Sequence, residues 1–216
     1  MDLTTPEPTV DEAVALKRNR ALDENALRTI FLEARSANAF LPAPVPRETL
    51  ERAVELTLLG PTSANSLPGR FVFVESAAGK ELLKPALAPG NLDKTMAAPV
   101  TVIFAADVRF YENFARTFPT RPEMGDRFKG EANAAMARDF ARDNALLQMA
   151  YFLIAARSLG LDCGAMGGFD RKLVDQAFFP DGRLISLYLA NVGYADGKNV
   201  FPRLPRFAPD EVARFA

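Results

Sequence analysis

Not one of the chain's 216 residues is a histidine. That gap removes Ser-His-Asp and Cys-His nucleophile activation, histidine-bearing zinc sites and imidazole acid–base catalysis. No metal site is expected. A single cysteine, Cys163, excludes an internal disulfide framework. With no histidine or zinc partner it reads as a packed small residue. Positive charge is not in excess: 26 Lys and Arg stand against 27 Asp and Glu, so the electrostatic footprint of a nucleic-acid binder is missing. No apolar run reaches the roughly 18 to 20 residues that would span a bilayer. Residues 1–20 hold two prolines and no apolar signal core. A cytoplasmic location with neither nucleic acid nor membrane as partner is the expectation. Also absent are a G-x-G-x-x-G after a strand and a G-x-x-x-x-G-K-[ST], so dinucleotide-fold and P-loop readings lose support. Redox or transfer chemistry would then have to come from a bound organic cofactor, with the protein supplying position and charge.

A hydrophobic content of 49% suffices for one good core. The expected organisation is a flexible arm over residues 1–20 and a single domain over 21–216. A first helix is predicted to start near Asp23, with Ala26, Leu27, Ile30, Phe31 and Ala34 as its apolar stripe. Leu41 to Pro46 holds three prolines and reads as extended. Leu50, Ala53, Val54, Thr57 and Leu58 give a second helical face that stops at Gly60. Buried strands are predicted at 71–75, 99–106 and 183–194, and further helices at 79–87 and 170–178. Pro89-Gly90-Asn91 reads as a turn leading into a helical turn through Lys94. Residues 107–128 lack a clean period and read as a short helix near 109–115 followed by a mobile flap. The longest helix is predicted over about 130–159, with Met136, Phe140, Leu147, Tyr151, Ile154 and Ser158 on one stripe. Its second half is apolar nearly all round, which implies burial in the core or between subunits. Helices of unequal length around a small sheet predict an α+β or mixed three-layer fold.

The stretch GPTSANSLPGRFVFV, residues 60–74, carries the most information. Gly60 and Pro61 end a helix; Thr62, Ser63, Asn65 and Ser66 offer hydroxyl and amide groups; Pro68 stiffens the exit into the strand. Two readings fit: a capped turn before a strand, or a loop that holds a polar, ring-bearing ligand on a rigid frame.

Three further pieces fit the same kind of ligand. Arg35-Ser36-Ala37-Asn38 follows the first helix, Asn91 precedes Lys94 by three residues, and Gly167-Gly168-Phe169-Asp170 is followed by Arg203 and Arg206 in the tail. In this order the pieces resemble the FMN-dependent nitroreductase superfamily over roughly residues 24–216. More narrowly, GPTSAN, GNLDK with the following APVT, LGLDCGAMGGFD, NVGY and RLPR are similar to the malonic semialdehyde reductases of the Rut pyrimidine-degradation pathway.

The resemblance implies a three-layer α+β fold with a small, mostly antiparallel sheet between helices, an obligate-type homodimer, and FMN at the subunit interface. Arg35, Ser36, Arg203 and Arg206 would clamp the phosphate, whose dianion suits the guanidinium fork. Asn91 would meet the pyrimidine edge of the ring. Lys94 would lie near N1 and O2, where charge accumulates on reduction. Gly167 and Gly168 would let the backbone approach the ring, with an N–H toward N5. Lys94 and Gly167 are therefore the residues assigned to catalysis. Pro61, Thr62, Ser63 and Asn65 would reach the flavin from the second subunit. Asn38 stands where many relatives have a basic residue, Gly167 where many have an acid, and Leu67, Gly69 and Arg70 replace the residues usual after the loop. Arg70 is a candidate receptor for a substrate carboxylate. The implied activity is hydride transfer from NADPH or NADH through FMN to malonic semialdehyde, giving 3-hydroxypropanoate. A nitroaromatic, quinone or enone acceptor on the same fold, and a flavin-binding module without turnover, remain open.

Overall fold

The computed structural model of the protein describes residues 21–216; the arm expected at 1–20 lies outside them. The chain divides into two units between Ala34 and Arg35. In the first unit, Asp23 caps the helix as predicted, its Oδ1 accepting from Ala26 N–H at 2.8 Å. Helix α1, Glu24–Leu27, runs on into a π-helical turn, Arg28–Leu32, and neither contains a buried residue.

The second unit is built on four strands: β1 (Gly69–Val74), β2 (Val100–Asp107), β3 (Asp162–Met166) and β4 (Leu184–Gly193). Their order is β1-β2-β4-β3, and every neighbouring pair is antiparallel. The small antiparallel α+β sheet is the expected fold class. β3 was not predicted: DCGAM is short and carries glycine, alanine and cysteine where β-branched residues would signal a strand. It is an edge strand that pairs Cys163 with Val192 and Met166 with Leu189.

Pleating sends alternate residues to opposite faces. Val102 and Phe104 of β2 pack with Phe71 and Phe73 of β1 under helices α2 (Arg47–Leu58) and α6 (Ala134–Ser158). Ile103 and Ala105 meet Val72, Met166 and Leu189 on the other face, covered by α3 (Ala77–Leu83) and α7 (Arg171–Phe178). The result is a helix–sheet–helix sandwich. Between these elements, α4 spans Pro89–Ala97. The predicted turn at Pro89-Gly90-Asn91 is its first turn, because a proline at the start loses no helical hydrogen bond and has its φ already set.

Two predictions along the chain are corrected. The short helix expected near 109–115 is a 3-10 turn, Phe110–Asn113, followed by α5 (Phe114–Thr117), and the segment after it, expected as a flap, is anchored by Phe128, which is buried with Phe110 and Phe114 against Phe140 in a cluster of edge-to-face and stacked rings. The stripe assigned to α6 is also not the core face. Leu147, Tyr151 and Ile154 are exposed, whereas Ala137, Ala141, Ala145, Phe152 and Ala156 are buried. Alanines let the helix approach the sheet closely, so the larger apolar side chains are left outside. At the short end of α8 (Pro209–Val212) the tail is likewise exposed, including Phe201, Leu204 and Phe207.

Candidate functional site

Two of the predicted pieces converge at the end of β3. Asn91, in the first turn of α4, donates through Nδ2 to the Gly168 carbonyl at 2.8 Å. The same carbonyl accepts from Ala88 N–H at 3.1 Å. A Cβ on Gly168 would lie 2.6 Å from Asn91 Nδ2, and one on Gly167 would lie 3.2 Å from the Tyr188 ring. The missing Cβ atoms let Asn91 and Tyr188 pack this closely, and both glycines are exposed. Among the described residues none donates to Asn91 Oδ1, which leaves an acceptor on this rim.

One turn along α4, Lys94 reaches Asn38 Oδ1 at 3.5 Å, a loose contact that leaves ammonium protons for another acceptor. Asn38 is brought there because Ala37 N–H bonds the Cys163 carbonyl of β3 at 3.0 Å. A Cβ on Gly164 would lie 2.2 Å from the Ala37 carbonyl, so the 35–38 segment lies directly on this strand. Thus Ser36, Asn38, Asn91, Lys94, Gly167 and Gly168 share one edge of the sheet. The residues fit a planar heteroaromatic ring. A cleared glycine rim, an unused amide oxygen and an under-bonded cation offer shape, acceptor and charge together.

The 61–67 loop is held from a different direction. Ser63 N–H donates to Asn144 Oδ1 at 2.7 Å, and Gly69 N–H donates to Gln148 Oε1 at 2.7 Å. Asn144 and Gln148 lie one turn apart on α6. Between these anchors Ala64, Asn65 and Leu67 take φ of 52°, 46° and 43°. Left-handed conformations at non-glycine residues cost on the order of 1 kcal/mol each and persist only where the surroundings hold them. Asn65 Nδ2 donates to the Thr117 carbonyl at 2.6 Å, and Thr62 Oγ1 accepts from Leu67 N–H at 3.2 Å. Ser66 Oγ and Gln148 Nε2 are buried without a partner among the described residues. Pro61 and Ser63 stay exposed. The anchoring amides Asn144 and Gln148 were missed in the sequence; polar residues four apart within an otherwise apolar helix were the available signal.

Other predicted residues are placed differently. Arg206 is exposed and donates to the Leu204 and Pro205 carbonyls of its own tail at 2.9 and 3.1 Å. Arg203 is exposed in the same tail, and Arg35 is half-buried. Arg70 has partners within the chain. Its guanidinium meets Asp107 Oδ2 at 2.8 Å and the Leu67 and Gly69 carbonyls at 2.9 Å each. Asp107 is buried and also receives Arg183. Arg70 is thereby engaged in an ion network with Asp107 and Arg183. Burial pushes the Cys163 thiol up to about 12, with the Asp162 carboxylate adding to the effect. It is unreactive at neutral pH. A groove of about 750 Å³ lies between α2 and edge strand β1, lined by Leu50, Val54, Phe71 and Phe73 among others. None of the predicted site residues borders it.

Comparison with known proteins gives one consistent result. Residues 32–194 match the nitroreductase family. A protein of Burkholderia lata named "Putative NADH dehydrogenase/NAD(P)H nitroreductase" is 49% identical over 89% of this chain and 97% of its own length. A Cupriavidus pinatubonensis protein of the same name is 43% identical over 93% of this chain and 100% of its own. Among solved structures, a nitroreductase-type protein of Bacillus subtilis superposes with a TM-score of 0.77 at 22% identity, covering 90% of this chain and 100% of that one. One from Exiguobacterium sibiricum, solved in complex with FMN, gives 0.75 at 20% identity, over 92% of this chain and 99% of that one.

Proposed function

We propose, from the premise that the chain belongs to the nitroreductase family, that it is an FMN-dependent oxidoreductase carrying a hydride from NADPH or NADH to a small acceptor. The observation that carries this reading is the convergence of Asn91, Lys94 and Asn38 with the Gly167-Gly168 rim at one sheet edge. Bound there, FMN supplies the hydride relay between nicotinamide and acceptor. Lys94 holds a positive charge beside the ring and favours its reduced, anionic form over the oxidised one. Asn91 presents Oδ1 to a ring N–H while its Nδ2 stays on Gly168. Arg35, Ser36, Arg203 and Arg206 bind the phosphate.

The two-subunit form is part of the proposal. Leu147, Tyr151 and Ile154 of α6, with Leu58 at the end of α2 and Leu59 just after it, are exposed apolar side chains suited to a second copy. Pro61, Thr62, Ser63 and Asn65 then face the partner's flavin. Two successive half-reactions at one open ring face give ping-pong kinetics.

For the acceptor we infer a small aldehyde acid, malonic semialdehyde, which takes a hydride at carbon and a proton at oxygen to give 3-hydroxypropanoate in pyrimidine degradation. This rests on the stretches GNLDK, LGLDCGAMGGFD and RLPR. A second reading, with a nitroaromatic, quinone or enone acceptor, is favoured by the engagement of Arg70 with Asp107 and by the names of the relatives. The visible spectrum of the purified protein, before and after anaerobic NADPH, tests the flavin assignment: a yellow protein that bleaches on addition is expected, and a colourless one refutes it. Parallel steady-state kinetics then decide the acceptor, with the carboxylated aldehyde expected to have the highest kcat/KM.

A further inference from the structure

Lys80 is 5% exposed, a depth at which lysine is rare unless paired. Among the described residues no carboxylate pairs with it. Its Nζ donates to the Thr95 carbonyl in the last turn of α4 at 2.8 Å and to Thr101 Oγ1 on β2 at 2.5 Å. Burial alone pulls its pKa down to about 8, so the group remains mostly charged at neutral pH. A buried ammonium on two neutral oxygens is costly, and an apolar side chain of similar length would avoid that cost.

The hydrogen bonds beyond it run in one direction. Because an ammonium only donates, Thr101 Oγ1 must accept from Lys80, and its own proton goes to Asn191 Oδ1 at 2.8 Å. This fixes the Asn191 amide, whose Nδ2 then faces the Lys94 carbonyl and Thr95 Oγ1, both at 3.3 Å. Thr95 Oγ1 passes its proton toward Met166 Sδ at 3.5 Å. With the amide reversed, Asn191 Oδ1 would face the Lys94 carbonyl, oxygen against oxygen. The chain therefore begins at Lys80 and ends on the two walls of the candidate site: the backbone of Lys94, and the residue before Gly167.

We propose that Lys80 is a positioning residue of the flavin site, which through Thr101, Asn191 and Thr95 fixes α4 against the end of β3 and so sets how strongly the site prefers reduced over oxidised flavin. The inference rests on the flavin reading above. It assigns Lys80 no contact with the ring; it acts through the placement of Lys94 and Gly167.

The test uses Lys80→Met and Thr101→Val in the flavin-loaded protein, with the flavin midpoint potential measured against a reference dye. Both variants are expected to bind FMN and to lose about tenfold in preference for the reduced form, which is about 30 mV for a two-electron couple. Thr101→Ser keeps the hydroxyl and should restore the wild-type value, which general destabilisation would not do. Hydrogen exchange supplies a readout without flavin: the Ala98 amide, bonded to the Lys94 carbonyl, should exchange about tenfold faster in apoprotein of both variants. If Lys80→Met does not fold, Thr101→Val decides. Unchanged potentials in the variants overturn the inference while leaving the functional reading intact. A wild-type chain that takes up no FMN removes both.

Discussion

The two ends of β2 each bury a charge, and they treat it in opposite ways. At the Asp107 end a carboxylate with a side chain 2% exposed meets Arg70 and Arg183 together with the Arg109 N–H. At the Thr101 end the Lys80 ammonium meets, among the described residues, two neutral oxygens. The first arrangement is closed: its charges are matched within the chain, and it ties β1, β2 and the start of β4 together. The second is unbalanced and lies next to α4, whose outer side carries Asn91 and Lys94. Compensated burial marks a structural joint here, and uncompensated burial marks the support of a site meant to attract an anion.

The largest expected effect comes from breaking the closed end. Asp107→Ala leaves two guanidinium groups facing each other and should lower the unfolding free energy by about 3 kcal/mol in urea denaturation, with FMN affinity nearly unchanged. A loss under about 1 kcal/mol would make the two ends equivalent and dissolve the contrast.

Arg206→Ala should give the reverse signature. Charge-assisted hydrogen bonds are worth about 1.5–3 kcal/mol, so FMN affinity should fall by about 10- to 100-fold with little change in stability. Full cofactor retention in a fluorescence titration would remove this arginine from the phosphate clamp.

Arg70→Ala sharpens the division between structure and chemistry. It should cost about 1 kcal/mol of stability through Asp107 and leave KM for malonic semialdehyde unchanged. A raised KM with intact stability would return Arg70 to the substrate.

A pH dependence completes the comparison. Burial pulls the Lys80 pKa down to about 8 in the folded chain, against 10.5 for the free side chain. Below pH 8 both states hold the proton and the burial cost is fully present. Between about 8 and 10.5 the unfolded state binds more protons, so wild-type stability rises with pH across that window. Lys80→Met should lack this alkaline gain in paired denaturation curves, and an equal gain in both proteins would show that Lys80 does not titrate there.

Legibility followed the physics of each element. β1, β2 and β4 announce themselves as apolar runs bounded by glycine, proline or charge, whereas β3 hides in small residues whose strand state is induced by pairing with β4. In α6 side-chain size misled: the close face is made of alanine, and the prominent stripe of Leu147, Tyr151 and Ile154 is left outside. The rim residues Asn91, Lys94, Gly167 and Gly168 were recognisable as pieces of a pattern. The residues behind them were not, since Lys80, Thr101 and Asn191 look like ordinary polar positions in a linear reading, as does Asn144 behind the 61–67 loop.

Composition and periodicity by themselves determined that histidine chemistry is absent, that an α+β fold forms, and where three of the four strands lie. These follow from local rules, because burial repeats every two or 3.6 residues and an absent side chain cannot act. Only the folded chain decided which polar groups meet. Lys80 finds the Thr95 carbonyl 15 residues away, and Asn191 finds the Lys94 carbonyl 97 residues away. Such pairings depend on strand register and helix placement, and a hydrogen bond tolerates only a few tenths of an ångström, which no local pattern encodes.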